Sequence, residues 1–318
     1  SHQTLLPYLV RRLLENGANT SFVNQLVNPE ISVDRLIACP IAAVRALEVI
    51  PHPKIRDAAH LYSDRQNAQG LDLNDPWVLN SAAAAMTEAA QHDFSVMVSE
   101  DAAAEQAQHV VMGPVQRDKA LGTVQTCSVD AVEAAVVSAQ QAYRSWRDES
   151  IEARAACLNR AADALEAQRF HFMSMCVREA GKTWQDALDE VREAIDFLRY
   201  YAQQSCLSLQ AQVCPGPTGE ANTWRPVGRG VILCLSPWNF PVAIFTGQVA
   251  AALVAGNAVL AKPASQTVVL ASEMVRLFHA SGIPESVCQL LPGGHDVVGA
   301  PLVADNRVQG VMLTGSTR

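Results

Sequence analysis

Asn239 stands in Ser236-Pro237-Trp238-Asn239-Phe240-Pro241, hemmed by two prolines and two aromatic residues. It is either a turn residue or a stiffly held amide that donates to a carbonyl oxygen gaining charge during attack. Lys262 ends the apolar run Ala258 to Ala261 and precedes Pro263. An ammonium on a flexible stem at a strand end reaches ribose hydroxyls or a phosphate, or simply faces water. Gly315-Ser316 follows another apolar run. If it opens a helix, it offers free N–H groups and a hydroxyl to an anion; otherwise Ser316 is an ordinary cap. Near the start of the chain Arg11 and Arg12 are adjacent, with Glu15 four residues beyond Arg11. They form a solvated helix face with an i,i+4 pair, or a forked clamp for a carboxylate. The eight histidines are scattered, with no i,i+4 pair and no Cys-x-x-Cys beside them, so no metal site is predicted.

The elements that must hold these groups follow from the apolar patterning. Val227 to Leu235 is a β-branched run that Ser236 to Pro241 breaks, and a small-residue helix is predicted over Val242 to Val254, closed by Gly256-Asn257. A second strand covers Ala258 to Ala261, and Ser265-Gln266-Thr267 begins a helix running to Gly282. A third strand spans Val287 to Leu291, and a fourth spans Gly310 to Leu313, ending at Thr314-Gly315-Ser316. This alternation predicts an α/β fold with a mostly parallel sheet and its ligands at the carboxyl ends of the strands.

Upstream, Ser128 caps a helix to Trp146, and Ser150 opens another whose apolar positions continue through Phe170 toward Arg178. A third helix runs from Trp184 to Tyr201. Arg178 to Thr183 contains Gly-Lys-Thr but lacks the earlier glycine of a phosphate loop, so it reads as structural. Asn80-Ser81 is the predicted cap of an alanine-rich helix, and Val96 to Val98 and His109 to Val111 are brief strand candidates. Residues 28 to 75 are rich in turn signals, with a short amphipathic signal over Ile31 to Val49. Leu5, Leu6, Leu9, Leu13 and Leu14 lie at helical spacing, ended by Asn16-Gly17.

Composition narrows the class. Hydrophobic residues are 49% and charged residues 18% of the 318, enough for a sizeable core. Net charge is -8 with no basic block, which argues against nucleic acid as a partner of this segment. Eight unclustered cysteines without a secretory leader suit a reducing, cytoplasmic compartment. Cys234, inside a strand, reads as a small buried hydrophobe.

Four of these motifs, SPWNFP at 236 to 241, GNAVLAKPASQT at 256 to 267, GIPESVCQLLPG at 282 to 293 and MLTGS at 312 to 316, resemble the aldehyde dehydrogenase superfamily in order and interval. The resemblance implies that Asn239 is an oxyanion donor, that Lys262 holds the adenosine ribose of NAD, and that Gly315 and Ser316 lie beside the pyrophosphate. Ser236, Pro237 and Trp238 would line the cofactor cleft. Many members carry Glu where Ser265 stands, which weakens the ribose grip and leaves more tolerance for NADP. The family's catalytic cysteine and glutamate are expected downstream of Ser316, so residues 1 to 318 alone are expected to be inactive.

Ser1 to Gln25 resembles the last helix of the flavin-dependent proline dehydrogenase barrel in bifunctional proline utilisation proteins. By that resemblance Arg11 and Arg12 bind the proline carboxylate, Glu15 steadies them, Tyr8 faces the same pocket and Phe22 lies close to FAD. The organisation implied is 1–27, the end of the barrel; 28–92, linker and helices; and 93–318, the first part of an NAD-binding aldehyde dehydrogenase domain. The implied parent converts proline to glutamate by way of glutamate semialdehyde. It would be a cytoplasmic homodimer or larger homo-oligomer, with peripheral inner-membrane contact through quinone use. The alternatives are a single-function NAD(P)-dependent aldehyde dehydrogenase and a non-catalytic nucleotide-binding or assembly fragment.

Overall fold

The computed structural model describes residues 2–17, 21–50, 52, 54–91, 94–96, 108–115 and 117–316. The chain forms two units, Ser1–Arg56 and Asp57–Arg318. The first contains α1 (His2–Gly17), α2 (Phe22–Leu26), α3 (Val33–Leu36) and α4 (Pro40–Arg45). The Ser21 and Ser32 hydroxyls accept from the N–H groups of Asn24 and Arg35, capping α2 and α3. The amphipathic signal expected over Ile31 to Val49 resolves into two short helices, because the residue before Pro40 is driven out of the helical region. None of this unit's described side chains is buried, and Leu5, Leu6, Leu9, Leu13 and Leu14 of α1 are all exposed.

The first α-helix of the second unit is α5 (Pro76–Ala89). Its cap is Asp75, whose carboxylate accepts from the Trp77 N–H, and Pro76 presets the first helical turn; the expected caps Asn80 and Ser81 lie inside the helix. A small sheet follows, built from β1 (Phe94–Val96), β2 (Gln108–Met112) and β3 (Ala120–Gln125), in the order β1-β3-β2. Met97 and Val98 of the expected strand lie outside the described residues.

Next come α6 (Val129–Asp148), α7 (Ile151–Ala167), α8 (Arg169–Ala180) and α9 (Trp184–Ser208), capped as predicted by Ser128 and Ser150, and by Thr183 before α9. The continuous helix expected from Ser150 to Arg178 is in fact two, broken at Gln168. No glycine or proline marks that break. Gly181, at φ +68°, ends α8 in the left-handed region where a Cβ would be strained. A hairpin of β4 (Gln212–Cys214) and β5 (Asn222–Trp224) was not foreseen from the sequence.

The principal sheet comprises β6 (Val231–Leu235), α10 (Ala243–Val254), β7 (Ala258–Lys262), α11 (Val268–Ala280), β8 (Cys288–Leu290), α12 (Ala300–Ala304) and β9 (Val308–Leu313). All its strand pairs are parallel and the strand order is β8-β7-β6-β9. β6 and β7 alternate between two cores, as strand geometry requires. Ile232, Cys234, Val259 and Ala261 pack with residues of α7 to α11, whereas Val231, Leu233, Ala258 and Leu260 pack with α6, Val298 and Leu302. Helices therefore cover both faces, and the direction of winding reverses between β6 and β9.

Candidate functional site

That reversal is where an open α/β sheet binds its ligand, outside the carboxyl ends of the two diverging strands. Leu235 is in register with Lys262 on β7 and with Leu313 on β9. The ladder continues one residue further: Ser236 N–H donates to the Lys262 carbonyl at 3.2 Å and Thr314 N–H to the Leu235 carbonyl at 3.1 Å. Three strands thus end level, and the segments carrying Asn239, Lys262 and Ser316 leave the same edge.

Across the β6–β9 gap lies one buried amide. Gln248 of α10 reaches both Ser236 and Thr314. The orientation that satisfies every partner turns its Nε2 toward the Ser236 hydroxyl at 2.7 Å and the Leu235 carbonyl at 3.3 Å, while its Oε1 accepts from the Thr314 hydroxyl at 3.0 Å and N–H at 3.2 Å. Gln248 is the lone amide of α10 and directly precedes its wholly apolar second half, and that isolation is the signal by which sequence reading could have found it.

The Asn239 side chain is exposed and makes no hydrogen bond among the described residues, so its donor is available. Trp238 is exposed beside it and Pro237 is half-buried. The loop is held from below by Glu190 of α9, a buried carboxylate whose Oε2 accepts from the N–H groups of Val242 and Ala243 at 3.3 and 2.9 Å. Glu190 Oε1 pairs with Lys182 at 2.7 Å, and that ammonium lies 4.5 Å from the Phe240 ring centre. Glu179 does the same for α11, accepting from Val269 and Leu270 N–H groups at 2.8 Å each. Both N-termini facing the edge are thus already filled by carboxylates. Within the segment from Arg178 to Thr183, Glu179 thus holds the start of α11 and Lys182 pairs with Glu190.

Lys262 is half-buried, and its Nζ donates to the Pro263 carbonyl at 3.0 Å. It has no carboxylate partner among the described residues, and burial pushes its pKa down. An incoming hydroxyl or phosphate would relieve that desolvation. Ser265, in a short turn over Ser265–Thr267, and Gly315 and Ser316 are exposed. Any helix beginning at Ser316 lies outside the described residues. A level carboxyl edge, an ammonium with no carboxylate partner among the described residues and an exposed indole fit a dinucleotide.

Cys234 is fully buried and burial pushes its thiol up to about 12, as it does Cys127; Cys176 and Cys288 are raised by the same cause. None of these four supplies a thiolate. In the first unit Tyr8, Arg11, Arg12 and Phe22 are exposed; the Arg12 guanidinium lies 5.5 Å from the Tyr8 ring centre, and the Glu15 side chain lies outside the described residues.

Comparison with known proteins places two families on the chain. The model of the aldehyde dehydrogenase family matches residues 100–318, and that of proline dehydrogenase matches residues 1–25. The Bifunctional protein PutA of Klebsiella aerogenes is 45% identical over 325 residues, covering 100% of this chain and 24% of that protein. The 1-pyrroline-5-carboxylate dehydrogenase 2 of Bacillus subtilis (strain 168) is 34% identical over 245 residues, covering 77% of this chain and 48% of that protein. A crystal structure of bifunctional proline utilization A (PutA) protein superimposes with a TM-score of 0.81 at 39% identity, over 100% of this chain and 30% of that one. The chain spans about a quarter of the length of the bifunctional relatives it matches.

Proposed function

Because this chain belongs to the aldehyde dehydrogenase family, we propose that it carries the NAD+ platform of an enzyme oxidising glutamate semialdehyde, within a longer protein that also oxidises proline. The observation that carries this reading is the level carboxyl edge, from which Lys262, without a carboxylate partner among the described residues, and the exposed Asn239 amide extend beside the Gln248 bridge. The order of the two family matches along one chain supports the pairing with proline oxidation.

In this reading Lys262 binds the adenosine ribose, Gly315 and Ser316 meet the pyrophosphate, and Ser236, Pro237 and Trp238 line the cleft. Ser265 sits at the ribose end and presents no carboxylate to repel a 2′-phosphate. Bound NAD+ supplies the hydride acceptor. The Asn239 amide donates to the aldehyde oxygen as charge develops on it during nucleophilic attack, and the Gln248 bridge keeps the two crevice walls at fixed spacing. Tyr8, Arg11, Arg12, Glu15 and Phe22 belong to the proline site, where the paired guanidinium groups take the substrate carboxylate. Their flavin environment lies with other segments of the protein. A homo-oligomer in the cytoplasm, touching the inner membrane peripherally, completes the proposal.

Assaying the full-length protein for NADH formation with pyrroline carboxylate, with proline plus a quinone to reoxidise the flavin, and with short aliphatic aldehydes tests it. Turnover is expected with the first two, and activity confined to the aliphatic aldehydes would overturn it. Running the same assay with NADP+ measures what Ser265 permits.

A further inference from the structure

We infer that Lys182 is a positioning residue for the Asn239 amide, acting through the Phe240 ring. The inference rests on the oxyanion reading of Asn239 given above.

The Asn239 side chain makes no hydrogen bond among the described residues, so nothing at the amide itself fixes its direction. The loop is anchored at its ends, by Gln248 at Ser236 and by Glu190 at Val242 and Ala243. Pro237 and Pro241 restrict φ at two further positions. Phe240, next to Asn239, is half out in solvent at 42% exposure, and the Lys182 ammonium lies 4.5 Å from its ring centre. Lys182 cannot drift from that place. Its Nζ is 2.7 Å from Glu190 Oε1, whose side chain is 1% exposed. Its backbone lies between left-handed Gly181 and the cap residue Thr183.

One buried carboxylate therefore does two things: it caps α10 with one oxygen and with the other holds a cation on the ring beside Asn239. An ammonium over a ring face is attracted by the ring quadrupole, which resists rotation of Phe240 and of the peptide it shares with Asn239. Oxyanion donors act only when aimed before the charge develops, so a freely rotating ring would spread the amide over unproductive directions.

The test uses the full-length protein with pyrroline carboxylate and NAD+. Lys182→Met is expected to lower the single-turnover rate of NADH formation about tenfold with an unchanged KM for NAD+. Lys182→Arg, which keeps both the ion pair and the ring contact, is expected to restore most of it. Combining Lys182→Met with Asn239→Ala should be no slower than Asn239→Ala alone, since both act on one donor. Hydrogen exchange without cofactor should quicken across 236–243 in Lys182→Met. Multiplicative losses in the double variant, or a change in NAD+ KM alone, would overturn the inference.

Should Lys182→Met not fold, Phe240→Leu leaves the Lys182–Glu190 pair and the helix cap in place and must show the same loss; a wild-type rate there overturns the proposal. A wild-type rate in Asn239→Ala would sink the oxyanion reading alone. Exchange in Lys182→Met then still decides the loop anchor, quickened exchange supporting it and unchanged exchange overturning it.

Discussion

At the scale of single residues, Lys262 and Glu179 are charges held under opposite circumstances. Lys262 is partly desolvated with only a carbonyl for company, so it gains from an incoming oxygen ligand. Lys262→Met is expected to raise the KM for NAD+ about tenfold, equivalent to about 1.4 kcal/mol, with kcat nearly unchanged; titrating NAD+ against the variant measures it. Glu179 is buried under α11, and burial lifts its carboxyl from 4.5 to about 7 despite two backbone N–H donors. A folded value above the unfolded one means its contribution to stability is complete below about pH 4.5 and is lost as pH rises through about 7. Glu179→Gln should flatten the pH dependence of the melting midpoint between pH 5 and 7, and an unchanged slope would count against this. The places of Asn239 and Lys262, just beyond and at the ends of strands of one sheet, were legible in the sequence because polar groups there end apolar runs. The bridges made by Gln248 and Glu190 were not, because Thr314 and Val242, which they join, lie 66 and 52 residues away along the chain.

At the scale of elements, the four strands of the principal sheet were visible as apolar runs ended by polar loops, and their true limits differ from the expected ones by four residues at most. β6 and β7 are buried on both faces, so they need no alternation to be recognised. The break between α7 and α8 was invisible, since Gln168 and its neighbours all tolerate a helix. The β4–β5 hairpin was equally hidden, its strands being three residues long with little apolar content. What joins the strand ends is a side-chain bridge rather than a further strand. Gln248→Met keeps the volume but leaves the Ser236 hydroxyl without its amide partner. It is expected to cost about 1–3 kcal/mol locally, detectable as faster hydrogen exchange at 235–237 and 313–315.

For the whole molecule, the larger unit carries two continuous cores, whereas the first unit exposes an apolar stripe on α1. β9 pairs only with β6 among the described residues, and Val311 and Leu313 are exposed along it. Unpaired edges and apolar stripes promote association. Residues 1 to 318 expressed alone are expected to be poorly soluble, and a monodisperse peak on size exclusion with a cooperative melt would refute that. None of the described helices is long and apolar enough to cross a membrane. The alternation of β6 and β7 between the two cores carries one last consequence. Gaining or losing a single residue inside β6, between Ile232 and Cys234, would reverse the parity of the strand beyond it, sending Cys234 to the α6 side. Only insertions or deletions of even length there can preserve both interiors at once.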